Sequence, residues 1–313
     1  MNRRTTTALV LVIATLALHA AGVDAQRGRG APPGGPGGPG GRGARATAGT
    51  IERITVHGTA LEGSRAPEAN AQGDSPDRAV TVYLPPSYAG DQNRRFPTVY
   101  LLHGVNGTES AFIDGSALQT SADRLAGAQG FSEFIIVTPN AASPKGTLYA
   151  GAAGEWERFV AEDLVGYVDS HYRTLAHRMS RGLAGHDVGG SVALRIGMKR
   201  PEVFANLYVL SASGDAIPPA DLEKYASNLN AYYGIAIDIG AADPMVERNR
   251  QLHASMTKVR IAHLYEEYDG DRSNRLRDRI EWNVLPFFAR NLAAPANLTS
   301  PSPAADRLAP PAK

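Results

Sequence analysis

Gly185-His186-Asp187-Val188-Gly189 constrains this chain more than any other stretch. It has the outline of a nucleophile elbow, Gly-x-nucleophile-x-Gly, in which a strand turns sharply into a helix and the central side chain is pushed outward. Small neighbours are required because the turn brings backbone close to backbone. Ser180 to Ala184 reads as a short buried strand leading in, and Val188 to Arg200 as a helix leading out. Asp187 occupies the position where a Ser is usual.

The rest of the chain supplies a fold for this turn. Ala79–Leu84, Thr98–Leu102, Phe134–Thr138, Leu207–Leu210 and Ile235–Ile239 are short apolar runs, and Ile261–Tyr268 is expected to be a further strand. Strands apolar on both faces are what a parallel sheet covered by helices requires. Between them lie helical stripes: Trp156, Phe159, Val160, Leu164, Tyr167 and Val168; then Val192 and Ile196; then Leu276, Ile280, Val284 and Phe288, with a kink expected at Pro286. The alternation predicts an α/β fold, a three-layer sandwich with a mostly parallel central sheet, in a single domain over residues 49–293.

The ends read differently. Residues 1–25 carry Arg3 and Arg4, an apolar run and a small-residue cleavage pattern, as a signal peptide does. The run is short for a membrane span, and an exported, periplasmic or secreted protein is expected, with no transmembrane anchor. Residues 26–48 are rich in Gly and Pro, with Arg27, Arg29, Arg42 and Arg45 and no acid. Such a segment is expected to be a disordered linker, a spacer or a weak tether to anionic surfaces. Residues 294–313 form a second disordered tail rich in Pro and Ala. The chain has no Cys, so its fold rests on its core and not on disulfides. With 32 basic and 31 acidic residues and a basic N-terminal segment, the folded part is mildly acidic, which argues against nucleic acid as its partner.

Five phrases carry a resemblance: VYLPPSY at 82–88, VYLLHG at 99–104, AEDLVGYVDSHYRT at 161–174, SRGLAGHDVGG at 180–190 and LPFFARNL at 285–292. Together and in this order they resemble the esterase D / antigen 85 group of α/β-hydrolases over about residues 49–293. The resemblance implies an α/β-hydrolase fold, carboxylic-ester hydrolase or acyltransferase chemistry, no cofactor or metal, and ligands among acyl esters, acylated sugars and glycolipids. In that group the elbow residue is Ser, an acid follows a late strand, and His precedes the final helix. Here Asp187 stands at the nucleophile position, Asp243 at the acid position and Arg272 at the His position.

Arg cannot replace His in a triad, since it offers donors only and stays protonated. Asp187 and Arg272 are instead expected to form a charge-assisted pair, with Asp243 on the other side of Arg272. The backbone N–H groups of Val188 and of Val105 or Asn106 are the candidate oxyanion donors. His103, His186 and Trp156 are candidate binding residues; structural roles are the alternative for the two histidines, and the core for Trp156. Three functional readings stay open: a ligand-binding pseudoenzyme, an active hydrolase using Asp187 as nucleophile with His103, His186 or His263 as base, and a cation site built from Asp187, Asp243, Asp269 and Asp271. Oligomeric state is not expected from any motif.

Overall fold

The computed structural model describes residues 48–62, 75–143, 146–147, 149, 153–213 and 217–292. The expectations for residues 1–25, 26–47 and 294–313 lie outside the described residues.

Among the described residues ten strands form two sheets. β1 (Thr50–His57), β2 (Asp77–Leu84), β3 (Thr98–Leu102), β4 (Ile135–Pro139), β7 (Arg181–His186), β8 (Asn206–Leu210), β9 (Gly234–Gly240) and β10 (Leu264–Tyr268) make one eight-stranded sheet in the order β1-β2-β4-β3-β7-β8-β9-β10. β5 (Ala142–Ser143) and β6 (Gly146–Thr147) form a small hairpin beside it. The pairs β1·β2 and β2·β4 are antiparallel; all pairs from β4 through β10 are parallel.

Side chains alternate between two cores, which is why the central strands read as unbroken apolar runs. Tyr100 and Leu102 of β3, Leu183 of β7, Leu207 and Val209 of β8, and Ile235 and Ile237 of β9 face one side. Val99, Leu101, Ala184, Tyr208, Leu210 and Ala236 face the other. The first face is covered by α3 (Ala153–Arg158), α4 (Val165–His171), α5 (Val188–Lys199), α6 (Pro219–Lys224), α7 (Ala226–Asn230) and α8 (Val246–Lys258); the second by α1 (Ala111–Ser116), α2 (Leu118–Ala126), α9 (Leu276–Arg279) and α10 (Leu285–Asn291). This is the three-layer sandwich that the strand–helix alternation implies.

Three details differ from the sequence reading. β1 stands ahead of the strands read from the pattern: its sequence, TIERITVH, has exposed positions throughout and lacks an apolar run. β10 begins at Leu264, so His263 lies just before the strand and not inside it. The final helix does not simply kink at Pro286. A π-helical turn, Ile280–Val284, precedes α10, which has Pro at its start. Proline has no N–H for the carbonyl four residues back, and a wider turn absorbs that missing bond. A second π turn, Phe159–Leu164, joins α3 to α4.

Candidate active site

β7 delivers the chain to the elbow and α5 carries it away. Asp187 sits between them at φ 59° and ψ −123°, a conformation few side-chain-bearing residues adopt. The neighbouring glycines make room for it. A Cβ on Gly185 would lie 2.1 Å from the Gly189 carbonyl oxygen, and one on Gly189 would lie 2.3 Å from that of His103. The start of α5 therefore packs directly on the end of β3.

Asp187 is 4% exposed, yet every carboxylate oxygen is engaged. Oδ2 accepts the Val105 N–H at 3.0 Å. Oδ1 accepts Arg272 Nη1 at 2.6 Å and the Ser213 hydroxyl at 2.5 Å. Burial alone pushes this carboxyl up; the Ser213 and Val105 donors and the Arg272 charge outweigh it and hold the group below the usual carboxylate range.

Asp243 follows β9, three residues beyond its end, and is 2% exposed. Its Oδ1 accepts Arg272 Nη2 at 2.7 Å, and its Oδ2 accepts Arg272 Nε at 3.0 Å and the Arg272 backbone N–H at 2.9 Å. This is a bidentate fork, the strongest common form of the pair. Hydrogen bonding to Asp243, outweighing partial burial, raises the Arg272 pKa above its ordinary value. Arg272 thus lies in the loop between β10 and α9 with its guanidinium bridging two carboxylates that come from the ends of β7 and β9. Two carboxylates and one guanidinium leave the cluster net negative.

The structure brings Asp187, Asp243, Arg272 and Val105 together. Val188 opens α5 beside them, and Asn106 adopts a left-handed turn next to Val105, with φ 59°. The candidate binding residues are tied to neighbouring backbone or packed in the core. His103 is buried, donates from Nδ1 to the Gly104 carbonyl at 2.8 Å and accepts the Ala141 N–H on Nε2 at 2.9 Å. The His186 ring bonds the Arg272 carbonyl through Nε2 at 2.9 Å. Burial lowers the pKa of both imidazoles, so each serves as a neutral link between loops. Trp156 is fully buried, its ring 5.6 Å from Tyr149 and 5.1 Å from Phe159, and belongs to the core and not to a binding surface. Among the described residues no three of His, Cys, Asp or Glu gather to hold a metal. Arg272 occupies the space between Asp187 and Asp243, and Asp271 instead caps its own turn by accepting the Ser273 and Asn274 N–H groups.

Two residues emerge only from the fold. Ser213, just past β8, also donates its N–H to the Asp187 carbonyl at 3.1 Å. Ser191 of α5 donates its hydroxyl to the Ser213 carbonyl. A cavity of about 130 Å³ lies on this side of Asp187, lined by Ser191, Leu194, Ser213, Ile217, Asn249 and Leu252 among others. The one usable sequence signal for Ser213 is its place at the carboxyl end of a parallel strand, where ligands of open α/β sheets gather.

The sequence profile described as "Putative esterase" matches residues 75–295. The chain belongs to that family. Among curated proteins it is 26% identical over 140 residues to the endo-1,4-beta-xylanase/feruloyl esterase of Xylanibacter ruminicola; the match covers 43% of this chain and 19% of that protein. The chain therefore spans less than a fifth of that relative's length. Among solved structures, a ferulic acid esterase superposes with a TM-score of 0.64 at 22% identity, over 78% of this chain and 98% of the other. S-formylglutathione hydrolase of Staphylococcus aureus superposes with a TM-score of 0.62 at 15% identity, over 79% and 100%. At these identities the two structures establish the α/β-hydrolase fold. The esterase family is thus the setting in which Asp187, Asp243 and Arg272 meet.

Proposed function

We propose that this protein is a ligand-binding member of the esterase family that does not turn over esters by Ser-His-Asp chemistry. The observation that carries this reading is the Arg272 guanidinium seated between Asp187 and Asp243. A triad needs a base that takes a proton from the nucleophile and returns it. Arg272 holds its protons, and Asp187 has both oxygens occupied by donors. The Val105 N–H, the candidate oxyanion donor, is already spent on Asp187. An Asp nucleophile would further need a base to activate water on the covalent ester. Among the described residues His103 and His186 are committed to backbone partners, and His263 pairs with His253.

The proposed ligands are acyl esters or acylated sugars, with aromatic acyl groups foremost because several structural neighbours are feruloyl esterases. Export is part of the same proposal and rests on residues 1–25; among the described residues no helix is long and apolar enough to cross a membrane. The test is hydrolysis of short p-nitrophenyl esters by the wild type beside Asp187→Ser/Arg272→His. A silent wild type and an active double variant support a cleft that kept its shape and lost its triad. Wild-type activity that disappears in Asp187→Asn would show a working Asp nucleophile and end the proposal.

A further inference from the structure

Behind the elbow, α5, the segment after β8 and α8 line the cavity of about 130 Å³ that borders Ser213. Leu194, Ile217 and Leu252 give it apolar walls. Its buried polar side chains are Ser191, Ser213 and Asn249, the last only 1% exposed. Both serine hydroxyls are spent as donors, Ser191 to the Ser213 carbonyl and Ser213 to Asp187 Oδ1. Asn249 Nδ2 donates to the Ala212 carbonyl at 2.9 Å and to the Met245 carbonyl at 3.0 Å. These two bonds use both amide hydrogens and fix which end of the side chain is oxygen. Asn249 Oδ1 is left as a buried acceptor with no partner in the protein.

We propose that this cavity binds a small neutral alcohol, whose O–H donates to Asn249 Oδ1 and whose apolar body packs on Leu194, Ile217 and Leu252. Hydrogen bonding sets the first requirement. A buried acceptor is costly to leave unpaired, so the occupant must bring a donor. Charge sets the second. No acid is among the described lining residues, so an ammonium group would be buried without a counter-charge. A carboxylate would set its oxygens against Asn249 Oδ1, with the Asp187 charge just behind Ser213. Arg248, the charged residue of the lining, is exposed, as is Gln251, and solvent enters from their side.

Size sets the third requirement. An apolar cavity of about 150 Å³ takes up benzene. At about 130 Å³, the space here accepts a body of about one six-membered ring. A whole hydroxycinnamate ester exceeds it. The site is therefore additional to the ligand proposed above, and it stands whether or not Asp187 turns over esters.

The test titrates the full chain with cyclohexanol, followed by calorimetry and by the nuclear magnetic resonance of its amide groups. One cyclohexanol per chain is expected, with the largest shifts at the Asn249 side-chain amide and the Ser213 backbone amide. Cyclohexanone has the same ring and an acceptor only; it should bind about 10-fold more weakly or worse, because it sets oxygen against oxygen. Cyclohexylammonium and cyclohexanecarboxylate should both bind more weakly than the alcohol. Asn249→Leu should weaken cyclohexanol binding by about 10-fold and erase the preference over cyclohexanone. Asn249 also ties α8 to the Ala212 carbonyl, so a second variant guards against loss of the fold. Leu252→Phe fills the cavity from its apolar side, leaves the Asn249 bonds in place and should abolish binding. Cyclohexanone bound as tightly as cyclohexanol, either ion bound more tightly, undiminished binding in folded Leu252→Phe, or no cyclohexanol bound because water alone meets Asn249 would each overturn the proposal.

Discussion

Arg272→Ala is the perturbation that reads the site most directly. The guanidinium is one-quarter exposed, but the carboxylates it joins are not: the side chains of Asp187 and Asp243 are 5% and 0% exposed. Removing one partner of a buried pair costs about 3–5 kcal/mol, because the other charge is left uncompensated. Here the lower end applies. Asp187 keeps the Val105 and Ser213 donors, and Asp243 keeps the backbone N–H groups of Met245 and residue 272. A loss of about 3 kcal/mol is expected, a fall in melting temperature of roughly 6–12 °C for a domain of this size. The companion variant, Arg272→Ala/Asp187→Ala, removes one stranded charge along with its partner. It should be less destabilised than the two single losses added together, by about 1–3 kcal/mol. Urea unfolding of the four proteins completes the cycle, provided the slopes agree. Additivity within about 0.5 kcal/mol would refute a direct Asp187–Arg272 interaction and the proposed function with it.

Further outcomes follow from the same geometry. Gly189→Ala should cost about 3 kcal/mol or more, since its Cβ meets the Leu102 and His103 carbonyls at the end of β3 and neither can move aside; a melting temperature within 2 °C of wild type, on the order of 0.5 kcal/mol, would contradict that close packing. Trp156→Ala should destabilise by about 3–5 kcal/mol while leaving the affinity of the folded protein for a hydroxycinnamate ester unchanged in calorimetry. Stability should fall on acidification in two stages. Burial lowers the pKa of His103 and His186, so their contribution is complete above about pH 6.5 and is lost as pH falls from there toward their folded values. Asp187, also lowered in the fold, adds a second loss below about pH 4. His57, raised by Asp77 and Glu62 but exposed, opposes the first stage only weakly. A urea midpoint that stays flat between pH 7 and pH 5 would contradict the neutral, buried state of the two histidines.

The parts of the fold legible in the sequence are those whose residues meet the same environment on both sides. β3, β4, β8 and β9 are covered by helices on both faces, so an apolar run marks each one. β1 is an edge strand with exposed positions, and its alternation of Ile, Glu, Arg and Thr gives no such run. β10, LYEEY, lies at the opposite edge and is similarly mixed. At the site, Asp187, Asp243 and Arg272 were legible because the elbow fixes one position and chain order fixes the others. Ser213 was not, because its contact with Asp187 arises only when β8 pairs with β7 and places their ends side by side. The backbone partners of His103 and His186 are likewise products of loop geometry. A histidine beside an elbow has the same letters whether it binds substrate or ties Gly104 to Ala141.

Charge makes Asp187 and Arg272 a unit. Asp187→Ser alone leaves Arg272 forked on Asp243, a neutral and well-bonded pair, so the new hydroxyl faces a guanidinium that cannot accept its proton. Arg272→His alone sets an imidazole between two buried carboxylates. Both favour its protonated form, and an imidazolium is no base. On the proposed reading, neither single change should give ester hydrolysis, whatever room the cleft offers. Only the two together leave one carboxylate, Asp243, to orient a neutral imidazole toward a hydroxyl, with the Val105 N–H released by the loss of the Asp187 carboxylate. Activity in either single variant comparable to that of the pair would mean that the proton is moved by some other group, and would overturn the proposal that the Asp187–Arg272–Asp243 cluster blocks ester hydrolysis.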